Sequence, residues 1–190
     1  RRHKIILLKN SYPIYNMTMK ITLPDNSFRE LPDGSSGYDL AKSIGPGLAK
    51  SAIAATINGE QKDLHDPINE DSSVSIITID SEEGLEIMRH TLTAQVLARA
   101  VKNLYPKSKL AIGPTIEDGF YYDVETEVAI SADDLEKIEA EMKTIIKTKS
   151  SITKKLVTKS EALKVFKSKN EPYKEIIIDE SDQKDNFQLY

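Results

Sequence analysis

The sequence predicts an α+β chain in two parts. Three observations carry this. Strand-like alternation broken by turn signals fills residues 19–79. A long helical periodicity comes next, from Glu83 to the KNLYP string. After it, short extended runs and further helical stretches alternate.

The first part is built from local signals. MKITLPDNSFREL alternates around Asp25-Asn26, the signature of a hairpin. Ser35-Ser36-Gly37 opens a short helix over Tyr38 to Ile44, and Gly45-Pro46-Gly47 stops it. Ala52 to Ile57 is an apolar run before Asn58-Gly59, a second hairpin turn. Val74 to Ile79 is a last, β-branched strand. Hairpin, helix, then strands is the β-grasp order of ubiquitin-like domains. In such a domain the first and last strands pair.

The second part opens on the long helix. Leu85, Met88, Leu92, Val96 and Ala100 recur at steps of three and four and should form one packed face. Asp80 or Ser81 can cap its start, and Pro106 ends it. Lys109 to Gly113 and Phe120 to Val124 form a hairpin turning at Asp118-Gly119. Ser131 caps a helix reaching about Lys149, with Leu135, Ile138, Met142, Ile145 and Ile146 on one face. Ile152 to Val157 reads as a strand, and Ser160 caps a helix over Glu161 to Lys169. Glu171 to Glu180 reads as helix or strand, and DQKDNFQLY as a loop entering a strand.

Composition bounds the chemistry. The 190 residues contain no cysteine, which excludes disulfides, thiolate catalysis and thiolate zinc sites within this sequence. The net charge of -4 lacks the basic excess of a nucleic-acid footprint, so any RNA contact needs a local patch. No apolar run is long enough to span a bilayer. Residues 1–16 differ in character from the rest of the chain: Arg1, Arg2, His3 and Lys4 are basic and Ile5 to Leu8 apolar. They read as an extension, a linker or a basic organelle-targeting remnant, with Met17 and Met19 as candidate starts. The expected division is 1–16 extension, 17–80 β-grasp domain and 81–190 second domain.

Several strings resemble a known family. GLEIMRH, then a helix ending KNLYP, then KLAIGPTIEDGFYYDV resembles the start of the editing domain of bacterial-type threonyl-tRNA synthetases. ITLPD, IGPGLAKSAIAATINGE and SIITIDSEEGLEIMRH resemble the TGS domain of the same enzymes. The resemblance covers roughly Met19 to Tyr190. It implies a tRNA-contacting and proofreading region of a threonine–tRNA ligase, with threonine tRNA as partner, no DNA, no membrane, a homodimeric parent and a cytoplasmic location. Cytoplasmic holds unless the basic leader directs the chain to an organelle. The ligase domain's motifs are missing, so the chain is expected to be inactive alone and to hold no cofactor. ATP, magnesium and zinc are implied only for that domain. The alternative is a non-enzymatic TGS-containing RNA-binding or regulatory module.

The resemblance also implies a site, which this sequence alters. The family places an HxxxH pair on the central helix, where a spacing of four puts two imidazoles on one face. Such a site removes serine wrongly attached to the tRNA, because one methyl gives the synthetic pocket only about 1–3 kcal/mol of discrimination. Read forward from GLEIM, the first histidine falls on His90 and the second on Ala94. Read backward from KNLYP, the second falls on Gln95. The helix therefore holds one extra residue. A π-bulge between His90 and Gln95 would absorb it and turn both toward one cleft; a regular helix with a shifted start would not. Gln95 can hold a water or hydroxyl but cannot act as a base near neutral pH. The family's further Cys and His are absent.

A lysine cluster between Lys147 and Lys174 supplies tRNA-contact candidates, Lys154, Lys155 and Lys159. It also reads as a solvated polar face. Interleaved acids and the lack of an aromatic stacking platform weigh toward that second reading.

Overall fold

The computed structural model describes residues 18–190, so the expectations for residues 1–16 lie outside the described part. The chain forms two compact units, dividing between Gly84 and Leu85.

In the first unit, β1 (Thr18–Thr22) and β2 (Phe28–Pro32) form the expected hairpin. Asn26 takes the left-handed conformation its turn requires, φ 64°. The helix α1 (Gly37–Ile44) is closed at its start by a capping box: Asp39 N–H donates to Ser36 Oγ, and the Asp39 carboxylate accepts from the Ser36 amide at 2.9 Å. Those bonds hold the Asp39 carboxyl below its usual pKa. The helix stop falls on Gly45-Pro46-Gly47 as expected, with one addition. Gly45 ends α1, but Pro46 begins a second helix, α2 (Pro46–Ser51), because proline's fixed φ suits a first helical position.

β3 (Ala52–Ile57) turns at Asn58-Gly59, φ 50° and 84°, into β4 (Glu60–Asp63). Positive φ at both residues is the type I′ geometry that matches strand twist. β5 (Ser72–Thr78) then runs up the middle of a five-stranded sheet ordered β2-β1-β5-β3-β4. β1 and β5 pair in parallel, Ile21 opposite Ser72. This is a β-grasp fold. Met19, Ile21, Leu31, Leu40, Ile68 and Val74 fill its core. Each large side chain buried there contributes about 1.5–3 kcal/mol.

The second unit is organised by the long helix. Its first segment is α3 (Glu82–Thr91), and Ser81 caps it by accepting the Gly84 amide at 3.0 Å. Residues Leu92–Leu97 form a π turn, and α4 (Ala98–Leu104) resumes the α-helix. The predicted apolar face is only partly the packed one. Leu85 and Met88 are exposed, whereas Thr93, Ala98, Ala100 and Val101 are buried. The widened turn shifts the phase, so the stripe read at constant α pitch is not the stripe that packs.

Ala100 and Val101 pack on Ile138 of α5 (Ala132–Lys147), with Leu97, Leu110, Val124, Met142 and Ile145 around them. Leu135 and Ile146, expected on that face, are exposed. Between the helices lies the hairpin. β6 (Lys109–Leu110) pairs with β9 (Val124–Glu125), and β7 (Thr115–Ile116) with β8 (Gly119–Phe120). The turn falls on Glu117-Asp118, one residue before the expected pair, and neither has positive φ. Gly119 therefore serves as the fourth residue of an ordinary turn, a position glycine also favours.

A third cluster completes this unit. Val157, Ala162 and Ile178 are buried among Leu163, Phe166, Phe187 and Leu189. β10 spans Lys155–Val157, shorter than the run from Ile152, and pairs with β11 (Phe187–Leu189). Thr158, not Ser160, caps α6 (Lys159–Ser168), because Glu161 lies three residues on and closes a capping box. Residues Pro172–Glu180 are helical, α7.

Candidate functional site: a basic cleft beside a π turn

The π turn is defined by its hydrogen bonds. The Ala98 amide donates five residues back, to the Thr93 carbonyl. Thr93 is fully buried, and its hydroxyl donates to the Arg89 carbonyl at 2.7 Å. That bond supplies a partner to a carbonyl at the entrance of the widened turn. Gly113 of the hairpin lies against the same threonine. A Cβ built there would meet Thr93 Cγ2 at 2.7 Å and the Tyr122 ring closer still.

Gln95 is half-buried and lines a cleft of about 750 Å³ in the second unit. His90 is exposed at the end of α3 and is not among the cleft's lining residues. The widened turn thus directs Gln95 into the cleft without bringing His90 there.

Five cations line this cleft: Arg99, Lys102, Lys149, Lys169 and Lys174. Its one acidic side chain among the described residues is Glu171, which is buried. Glu171 is already committed. It takes an ion pair from Lys102 at 2.7 Å and a hydrogen bond from the Leu110 amide at 3.0 Å. Lys102 also donates to the Ser108 carbonyl at 2.7 Å. The pair therefore neutralises itself and joins α4, β6 and the start of α7. Arg99, Lys149, Lys169 and Lys174 leave the cleft positive.

Three further contacts fix the first turn of α7. Lys109 donates to the Asn170 carbonyl at 2.7 Å. Tyr173 donates to the Glu125 carboxylate, and this bond raises the phenol's pKa. Lys174 then stands over the Tyr122 ring, 5.5 Å from its centroid. Phe166 and Tyr190 line the same cleft. Sequence reading missed Tyr122, Lys174 and Arg99 as a group, since three separate elements carry them. A hint was the GFYYDV string, whose aromatics exceed what a two-residue strand pair can bury.

The sequence-derived lysines sit elsewhere. None of Lys154, Lys155 and Lys159 lines this cleft. Lys159 donates to the Asp179 and Ser181 carbonyls at 2.6 and 2.9 Å, closing the end of α7. Lys155 is exposed in β10, and Lys154 is half-buried. Among the described residues, no group of three or more His, Asp or Glu is placed to hold a metal ion, and no helix is long and apolar enough to cross a membrane.

Comparison with known proteins bears on both units. Residues 19–78 match the TGS domain family. Over 172 residues, 90% of its length, the chain is 48% identical to a threonine–tRNA ligase of Clostridium botulinum (strain Alaska E43 / Type E3). It is equally similar to the threonine–tRNA ligase of the Eklund 17B / Type B strain. The chain spans about a quarter of the length of these relatives. It carries a TGS domain, and across both of its units it resembles the amino-terminal portion of the threonyl-tRNA synthetases.

Proposed function

We propose that this chain contacts the acceptor end of threonine tRNA as part of a threonine–tRNA ligase, and that its proofreading site is impaired. The observation that carries this is the π turn, which sets Gln95, an amide, into a positively charged cleft where the related enzymes would need a second imidazole. A glutamine side chain can hold a water or the ester's hydroxyl through hydrogen bonds. It cannot take the proton that an attacking water must lose. The cations attract phosphate, and the aromatic side chains of Tyr122, Phe166 and Tyr190 line the cleft where a terminal base would lie. Binding is thus retained while hydrolysis is not.

Threonine activation with ATP, a dimeric assembly and a cytoplasmic location belong to the same reading. All rest on likeness to proteins about four times as long. The competing reading, a regulatory TGS-containing module, is disfavoured because the similarity runs well past residue 78.

The test is deacylation of seryl-tRNA carrying the threonine anticodon. The purified chain should clear it no faster than an uncatalysed control, while still retarding the tRNA in a binding assay. Hydrolysis abolished by His90→Ala would show a working site and overturn the impairment.

A further inference from the structure

Five non-glycine residues among those described have positive φ. Four are asparagines, Asn26, Asn58, Asn170 and Asn186, whose side chains accommodate that conformation. The fifth is Lys149, φ 51°. It sits just past α5, where glycine or asparagine is the usual helix terminator. Lysine gains nothing there from local conformation. Its side chain is exposed, and it lines the basic cleft together with Ser150, Ser151 and Thr153. Backbone strain kept by a residue other than glycine or asparagine, at the edge of a cleft, points to a role for its side chain.

We infer that Lys149 and the hydroxyls after it are a phosphate-contacting edge of this cleft, gripping the backbone of the single-stranded ribonucleotide end that the proposed function puts there. This rests on the reading of the cleft as the place of the tRNA end. The chemistry fits such a strand. Four cations that make no ion pair with an acidic side chain among the described residues can track a phosphate backbone, the Phe166 and Tyr190 rings line the cleft where a base would lie, and three hydroxyls can donate to phosphate oxygens.

The experiment uses the whole chain and a fluorescent single-stranded oligouridylate, measured by anisotropy across a salt series. Lys149→Gly and Lys149→Asn should raise the urea midpoint, because both relieve the left-handed strain. Both should weaken binding several-fold and make the slope of log affinity against log salt shallower by about 0.7, the loss of one phosphate contact to a single strand. Lys143→Ala, on α5 but outside the cleft and paired with Glu139, should change neither binding nor slope. Unchanged affinity and slope in Lys149→Gly would overturn the inference. A lower urea midpoint in that variant would remove the strain argument and overturn it too. Lys149-dependent binding of oligouridylate without retention of threonine tRNA would keep the inference and refute the tRNA reading.

Discussion

Thr93→Val is the substitution that most sharply interrogates the π turn. Valine keeps the shape of threonine and removes one hydroxyl. The hydroxyl lost is fully buried and makes a 2.7 Å bond to the Arg89 carbonyl. A neutral hydrogen bond contributes about 1 kcal/mol net, and a partner left short inside the protein adds to that, so the expected loss is about 1–2 kcal/mol. Urea unfolding followed by tyrosine fluorescence suits the measurement. Five of the eight tyrosines lie in the second unit, at positions 105, 121, 122, 173 and 190, and there is no tryptophan to mask them. With a urea dependence of about 2 kcal/mol per molar, the midpoint should fall by roughly 0.5–1 M. The β-grasp unit, read by a probe at Tyr38, should melt unchanged. An unaltered midpoint in Thr93→Val would mean that the hydroxyl does not sustain the widened turn, and the local account would fall with it.

Three other outcomes are expected from the same geometry. Gly113→Ala inserts a Cβ against Thr93 and Tyr122, so it should destabilise the second unit by about 1–3 kcal/mol in the same urea assay and disturb the Tyr122 fluorescence. Glu171→Ala leaves Lys102 without its counter-charge in a partly buried site and should cost about 3–5 kcal/mol; Glu171→Gln, which still accepts from Leu110, should cost less. Capping carboxylates Asp39 and Glu161 have folded pKa values lowered, first by hydrogen bonds from the Ser36 and Thr158 amides. Their contribution is therefore complete above about pH 4–5 and is lost as pH falls through the lowered values, so acid should lower the thermal midpoint, and less so in Asp39→Asn.

Much of the first unit was legible because its signals are local. Asn58-Gly59 imposes a type I′ turn whatever surrounds it, and Ser36 with Asp39 writes its own capping box. The widened turn in the central helix was legible as well, since the forward and backward readings of the flanking strings disagreed by one residue. What escaped was set by tertiary contact. Leu85 and Met88 have the periodicity of a packed face but stay exposed, because the π turn changes which residues face the core. Asp118-Gly119 is a strong turn signal, yet the pairing of Ile116 with Gly119 moves the turn by one residue. The lysine cluster carries Phe166 and Tyr173 within it, but the ring that meets Lys174 comes from the hairpin some fifty residues earlier, at Tyr122. Charge patterns in a sequence show which cations are near one another along the chain, not which share a cleft.

The central claim is that this cleft receives the acceptor end of threonine tRNA. Its most direct measurement is photocrosslinking from position 95, with a photoreactive amino acid replacing Gln95 and the joined nucleotide mapped on the tRNA. The account predicts crosslinks confined to the 3′-terminal nucleotides and lost in Lys174→Ala. Crosslinks to the anticodon arm, or none from a tRNA that is demonstrably bound, would contradict it.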